Sequence, residues 1–204
     1  MPDRLLAAEL QAGIGSAVIG REIIVLEQTD STNDAILQIA NANPKEGLVV
    51  FAEHQTAGRG QRGNRWESAA GKGLWFSILL RPKIDLASSP RITAWAAEAI
   101  SGAIQSEFSL APAIKPPNDV QIEGRKVAGV LVEMRAQERA SHLAIAGIGV
   151  NVNQSDEDFP RELQSRAISV AMAAGRQIDR QKFAIALLRR LDRTYREKFV
   201  SAEL

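Results

Sequence analysis

The chain has no cysteine and only two histidines, His54 and His142. That excludes disulfides, thiolate metal sites and a cysteine nucleophile, and it leaves too few imidazoles for a histidine-rich metal centre. A reducing compartment fits, and the expected location is the cytoplasm. An excess of one charge is also missing, since 25 Lys and Arg face 24 Asp and Glu for a net charge of +1. No global field recruits nucleic acid or a membrane, so any basic function must be local, and neither DNA nor membrane is an expected partner. No apolar run approaches membrane-spanning length. The first residues carry Asp3, Arg4 and Glu9 without an apolar stretch, so no signal peptide is expected. Internal repeats are lacking too. At 204 residues a single domain over 1–204 is expected, long enough to bury one good core.

What the chain does have is one unusual loop, Gln55-Thr56-Ala57-Gly58-Arg59-Gly60-Gln61-Arg62-Gly63-Asn64-Arg65-Trp66. It follows Leu48-Val49-Val50-Phe51-Ala52, an apolar run that reads as a buried strand. Its glycines permit close backbone approach and positive φ. Successive backbone N–H groups in such a loop form an anion nest, and guanidinium forks match phosphate or carboxylate. Gly58 to Gly63 literally fits G-x-G-x-x-G, but the dinucleotide fingerprint needs a helix opening within it, and the next periodic element here is another strand. Gly71-Lys72-Gly73 lacks the Ser or Thr that follows in a P-loop. A solvated basic turn is the bland alternative.

Along the rest of the chain, Arg4 to Leu10 reads as a short helix ended by Gly13 and Gly15, and Arg21 to Glu27 as a strand. Thr29 to Asp34 is a cluster of helix-capping residues, and Ser31 to Asp34 fits a capping box. Asn43-Pro44-Lys45-Glu46-Gly47 reads as a turn. Leu74 to Leu80 reads as a strand, and Pro90 to Phe108 as an amphipathic helix with Trp95 on its core face. Pro116 and Pro117 interrupt any ladder and present Asn118 and Asp119 at a stiff edge or loop. Glu123-Gly124-Arg125 reads as a hairpin turn between Val120–Ile122 and Lys126–Met134. Leu143 to Val152 is a further strand, followed by helices around Ile168–Ala173 and Asp179–Phe199. Strands with hairpin signals dominate the middle, so the expected class is α+β, a mixed, largely antiparallel sheet flanked by helices.

The polar segments together supply amides, hydroxyls, several cations and one well-placed carboxylate, with no catalytic triad and no metal cluster. That inventory suits activation of a carboxylate by a nucleotide, where Arg and Lys must offset charge as one anion meets another. Asp30-Ser31-Thr32-Asn33, Gln55 to Gly60, Gly73 to Ser77, Lys115 to Asp119, Arg125 to Glu133 and Gly147 to Asn151 resemble, in order, the motifs of the biotin–protein ligase family. The resemblance covers about residues 20 to 195.

It implies a catalytic-domain fold shared with lipoate ligases and like that of class II aminoacyl-tRNA synthetases. It implies an enzyme, a biotin–[acetyl-CoA-carboxylase] ligase. Such an enzyme uses ATP and Mg²⁺ to convert biotin to biotinyl-5′-AMP, then transfers biotin to a lysine of a biotin carboxyl carrier domain. Biotin would contact Ser31, Thr32, Asn33, Gln55, Gly58, Arg59, Gly60, Gln61, Lys126 and Gly129. The adenylate would contact Arg62, Trp66, Lys115, Asn118 and Asn151. Lys126, Arg59 and Asp119 would carry the chemistry, with Lys126 on the biotin carboxylate and Asp119 steering or deprotonating the acceptor lysine. No residue is assigned to metal. The bland reading of Lys126 is a solubilising strand-edge lysine. A homodimer is compatible with the resemblance. Two positions depart from the family's motifs. Gln61 stands where an arginine is frequent, and Pro116 stands where tryptophan is usual. Neither an N-terminal helix-turn-helix nor more than a remnant of the small C-terminal β-barrel of many members is expected. The alternatives are a lipoate or octanoate ligase or transferase, and a degenerate biotin- or nucleotide-binding module.

Overall fold

The structure, a computed structural model, describes residues 4–15, 17–40, 45–136 and 142–200. Helix α1 (Ala7–Ile14) begins a turn later than its sequence suggests. Gly13 lies inside it because a side chain there would meet Ile185, with Cβ only 2.5 Å from Cδ1. Gly15, at φ 73°, ends the helix. Strand β1 (Glu22–Thr29), helix α2 (Thr32–Ile39) and strand β2 (Leu48–Gln55) form one parallel crossover. Strand β3 (Gly73–Leu80) runs back against β2. After helix α3 (Ser89–Phe108), strands β4 (Ala113–Lys115), β5 (Asp119–Ile122), β6 (Arg125–Arg135) and β7 (Leu143–Asn151) complete the sheet. Helices α4 (Arg161–Gln164), α5 (Val170–Ala174) and α6 (Arg180–Tyr195) follow. The turn read at Asn43-Pro44 lies outside the described residues.

The strand order is β1-β2-β3-β7-β6-β5-β4, and every pair except β1–β2 is antiparallel. The mixed, largely antiparallel α+β sheet expected from the sequence is the one found. The hairpin at Glu123-Gly124 turns through two residues of positive φ, 52° and 75°, the geometry that two-residue hairpins favour.

Alternation along the strands sorts the two faces. Leu74, Phe76, Ile78 and Leu80 of β3 join Ala146, Ile148 and Val150 of β7 in a core shared with α3 and α6. Trp95 is buried in that layer, as its helical spacing suggests, and its indole N–H donates to Thr194 Oγ1 at 2.8 Å. The opposite face is covered by α2 at one end only, where Ala35 and Ile36 pack on Leu48, Val50, Leu79 and Ile145. Beyond α2 that face carries Ser77, Gly129, Gly147 and Gly149, small groups that leave the sheet open, with Leu131 and the buried Trp75 beside them.

A buried ion pair fastens α6 to the sheet. Both terminal nitrogens of the fully buried Arg180 donate to Glu53 Oε2, at 2.8 and 2.7 Å, and one also donates to Gly73 O at 3.0 Å. Glu53 Oε1 accepts from the Leu5 amide at 2.7 Å. Every strong charge in this pair has a partner, the condition under which buried charge is tolerated.

Candidate active site

Two adjoining clefts occupy the open face. The first spans about 460 Å³ including its open mouth, between the start of α2, the end of β2, the glycine–arginine loop and the floor of β6 and β7. The second is wider, about 1260 Å³, and lies between the loop, the β4–β5 turn and the segment around α4. Trp66 and Lys126 border both.

The first cleft has a polar end wired in advance. Gln55 ends β2, paired with Thr29 of β1, and its Oε1 accepts from the Thr32 amide at 2.8 Å and from Thr32 Oγ1 at 3.1 Å. It therefore caps the first turn of α2 from outside. Ser31 sits at the N-cap position but its side chain makes no capping bond, so the capping box read from Ser31 to Asp34 does not form. Gln55 Nε2 donates to Ser68 Oγ at 3.1 Å. The buried Ser77 hydroxyl lies 2.8 Å from Thr32 Oγ1 and 2.6 Å from Asn33 Oδ1, with one proton to serve both. Asn33 leans over Gly147, where a Cβ would come within 2.4 Å of Oδ1. Leu131 supplies an apolar side to the same cleft.

The loop closes over this cleft as a small hairpin. Trp66 N donates to Gly58 O at 2.9 Å and Gly60 N to Asn64 O at 2.7 Å. A Cβ on Gly58 would meet Trp66 O at 2.6 Å, which is why glycine is needed there. Arg62, at φ 57°, forms the tip with Gly63. Arg59 reaches back across the cleft. Its guanidinium grips the Asp34 carboxylate with two bonds, one of them 2.8 Å, and contacts Glu133 Oε2 at 3.3 Å. This grip holds the Asp34 carboxyl below its ordinary pKa and raises that of Arg59.

At the junction, Trp66 lies flat on the glycine floor. A Cβ on Gly149 would sit 2.5 Å from its ring, and one on Gly129 would sit 3.0 Å from both the ring and Lys126 Cε. Lys126 Nζ rests 5.2 Å from the Trp66 ring centre and 2.6 Å from Asp119 Oδ1. The latter is a charge contact whose angles fall outside hydrogen-bond geometry. The Lys126 backbone is fixed from the side: its N–H donates to Arg166 O at 2.8 Å and its carbonyl accepts from Ile168 N at 3.0 Å. Asn151 reinforces this edge, donating to Ile168 O at 3.2 Å and to Lys126 O at 3.4 Å.

The sequence-derived assignments gather well. Ser31, Thr32, Asn33, Gln55, Arg59, Gly60, Gln61, Lys126 and Gly129 all border the first cleft. Lys115, Asp119 and Asn151 border the second, with Trp66 and Lys126 between. Asn118, read as an adenylate residue, borders the first cleft instead, because its Nδ2 is turned to Val130 O at 3.1 Å. Arg62 borders neither, since its left-handed backbone carries it to the exposed tip. Gly58 shapes the loop without lining a cleft. Sequence reasoning did not find the second cleft's far wall, Phe159 to Ala167, or the partners of Arg59. Asp34 adjoins the Asp30–Asn33 motif and Glu133 ends the Arg125–Glu133 motif, but the resemblance gives neither a role, and position in or beside a motif is the only available signal.

A mixed sheet with a glycine-floored cleft under a glycine–arginine loop fits one known class, and residues 25–151 match the model of the biotin/lipoate A/B protein ligase family. The chain belongs to that family. Among its relatives, a bifunctional ligase/repressor BirA of Bacillus spizizenii is 39% identical over 96% of this chain and 60% of its own length. A biotin–[acetyl-CoA-carboxylase] ligase of Paracoccus denitrificans is 33% identical over 78% of this chain and 67% of its own. The solved biotin protein ligase of Aquifex aeolicus, in complex with biotin and ATP, superposes with a TM-score of 0.72 at 32% identity, covering 88% of this chain and 73% of that one. The chain thus spans about 60% of the length of the BirA relative.

Proposed function

We propose that this chain is the catalytic region of an ATP-dependent biotin–protein ligase. It activates biotin to biotinyl-5′-AMP with release of pyrophosphate, then passes the biotinyl group to a lysine of a carboxyl carrier protein. The observation that carries the reading is the junction of the two clefts at Lys126. The first cleft offers donors and acceptors at its closed end, which suits a ureido ring, and an apolar side, which suits the fused ring and chain. The ligand carboxylate then points toward Lys126. Lys115 and Arg166 of the second cleft pair with no carboxylate among the described residues, which leaves them for phosphate.

In this reading the biotin carboxylate oxygen attacks the α-phosphorus of ATP and pyrophosphate departs. Lys126 leaves Asp119 for the reacting oxygens and offsets charge where two anions meet. Asp119, so released, is free to take the proton that the acceptor amine loses when it attacks the acyl carbon and AMP departs. Trp66 screens the anhydride from water. The described residues hold no group of three or more metal-binding side chains, which fits Mg²⁺ arriving with the nucleotide and keeping its waters. The ion would be held chiefly by the phosphates and would neutralise the leaving pyrophosphate, with Glu67 the one second-cleft carboxylate left beside it.

The family also includes lipoate ligases. The polar end formed by Thr32, Asn33 and Gln55 favours a ureido ring over their apolar head. Mixing the protein with Mg·ATP and either biotin, lipoate or octanoate tests this directly. Pyrophosphate release with biotin alone is expected, and release with lipoate or octanoate in its place would overturn the reading. The homodimer compatible with the resemblance is checked by sedimentation at working concentration.

A further inference from the structure

We infer that Glu133 is a positioning residue that joins ligand recognition in the first cleft to closure of the glycine–arginine loop. Nothing above assigns it a role, and its coupling function rests on the ligase reading. Its Oε2 accepts from Asn33 Nδ2 at 2.5 Å and from Arg59 Nη2 at 3.3 Å. The two donors belong to different structures, since Asn33 opens α2 and Arg59 belongs to the loop. A single carboxylate oxygen on β6 therefore ties the inner wall of the cleft to its cover.

The carboxylate also sets direction. An ionised carboxylate only accepts hydrogen bonds. Asn33 must turn its NH₂ toward Glu133 and its carbonyl inward to Ser77, and the row of Ser77, Thr32 and Gln55 continues from there. Asn33 is only 3% exposed, and its carbonyl occupies the space left by Gly147. An amide turned the wrong way at that point would present donors where the row needs an acceptor, at a position that is almost fully buried. Glu133 thereby fixes the pattern a ligand ring meets at a distance, without touching it. Asp34, on α2 itself, also holds Arg59, but it does not bond the Asn33 amide, so Glu133 alone joins that amide's orientation to the loop.

Glu133→Gln keeps the shape and removes both the charge and the obligatory acceptor. Glu133→Asp keeps the charge. Biotin affinity by calorimetry, without nucleotide, and the rate of tryptic cleavage at Arg62 and Arg65, with and without biotin, report the two ends of the coupling. The expected result for Glu133→Gln is biotin affinity about tenfold or more weaker, faster loop cleavage without ligand, and little protection by biotin at saturation. Glu133→Asp should restore part of both, and melting temperatures should stay close to the parent. An equal biotin affinity and equal protection in Glu133→Gln would overturn the inference, as would affinity and cleavage that change separately. Failure of the parent to bind biotin would instead sink the ligase reading, and the ligand-free cleavage rate would still decide whether Glu133 holds the loop.

Discussion

The two clefts are built on different principles. The first is small, and its polar atoms are already bonded to one another: Gln55 to Thr32 and Ser68, Ser77 to Asn33, Arg59 to Asp34 and Glu133. The second is nearly three times larger by volume and is lined by charges that are partly unpaired. A rigid polar lining discriminates among neutral heads, because the wrong head leaves buried groups unsatisfied. An open basic lining tolerates a flexible, hydrated polyanion. In the proposed ligase reading, the site separates selection of the acid from handling of the phosphates, and Lys126 with Trp66, which border both clefts, is where the two tasks meet.

The largest expected effect comes from the shared residue. Lys126→Ala should weaken biotin binding and slow adenylate formation further, with a combined loss of about 2–4 kcal/mol. Arginine should restore little, since its planar fork does not place a point charge. Stability should fall by about 1 kcal/mol or less, because the pair with Asp119 is partly solvated. If only one of the two steps suffers, the clefts are not joined at this ammonium. Calorimetry and single-turnover adenylate formation separate them.

Gly147→Ala tests the first cleft alone. The added methyl would displace the Asn33 carbonyl, and about 1–3 kcal/mol of biotin affinity should be lost while nucleotide binding is retained. Equal losses for both ligands would erase the distinction between the clefts.

That glycine illustrates what the sequence makes legible. The G-x-G interruption of an apolar strand marks a place where something approaches the backbone, and the loop from Gly58 to Trp66 announces a site by composition alone. Strand period 2 in Leu74 to Leu80 and helical spacing around Trp95 place the core. Other features depend on distance in space and leave no local trace. Arg59 is 74 positions from Glu133, and Arg180 is 127 from Glu53. The wall from Phe159 to Ala167 has only a four-residue helix, too short to show a period. Ser31 and Asp34 look like a capping pair, but Gln55 arrives from the next strand and takes that place. Asn118 and Arg62 sit in the right motifs, but a side-chain bond to Val130 O turns the first toward the other cleft and a left-handed backbone carries the second to the loop tip.

Arg166→Ala is the counterpart test of the second cleft. Nucleotide KM should rise about tenfold, as for loss of one charge-assisted bond, with biotin affinity unchanged. A shift in biotin affinity would place Arg166 with the first cleft's supports.

Gln61→Arg should have the smallest effect. Gln61 borders the first cleft beside the loop's tip. An added cation there should slow release of biotinyl-5′-AMP a few-fold, since a charged bond is roughly twice as strong as a neutral one. Unchanged release would mean that position 61 does not face the intermediate.

A stable sulfamoyl analogue of biotinyl-5′-AMP puts the joined-cleft account to its most direct test. One molecule of it should fill both clefts, displace biotin and ATP competitively, and bind more tightly than either. Competition with only one of the two ligands, or simultaneous binding of the analogue and ATP, would contradict the claim that the clefts are halves of a single reaction site.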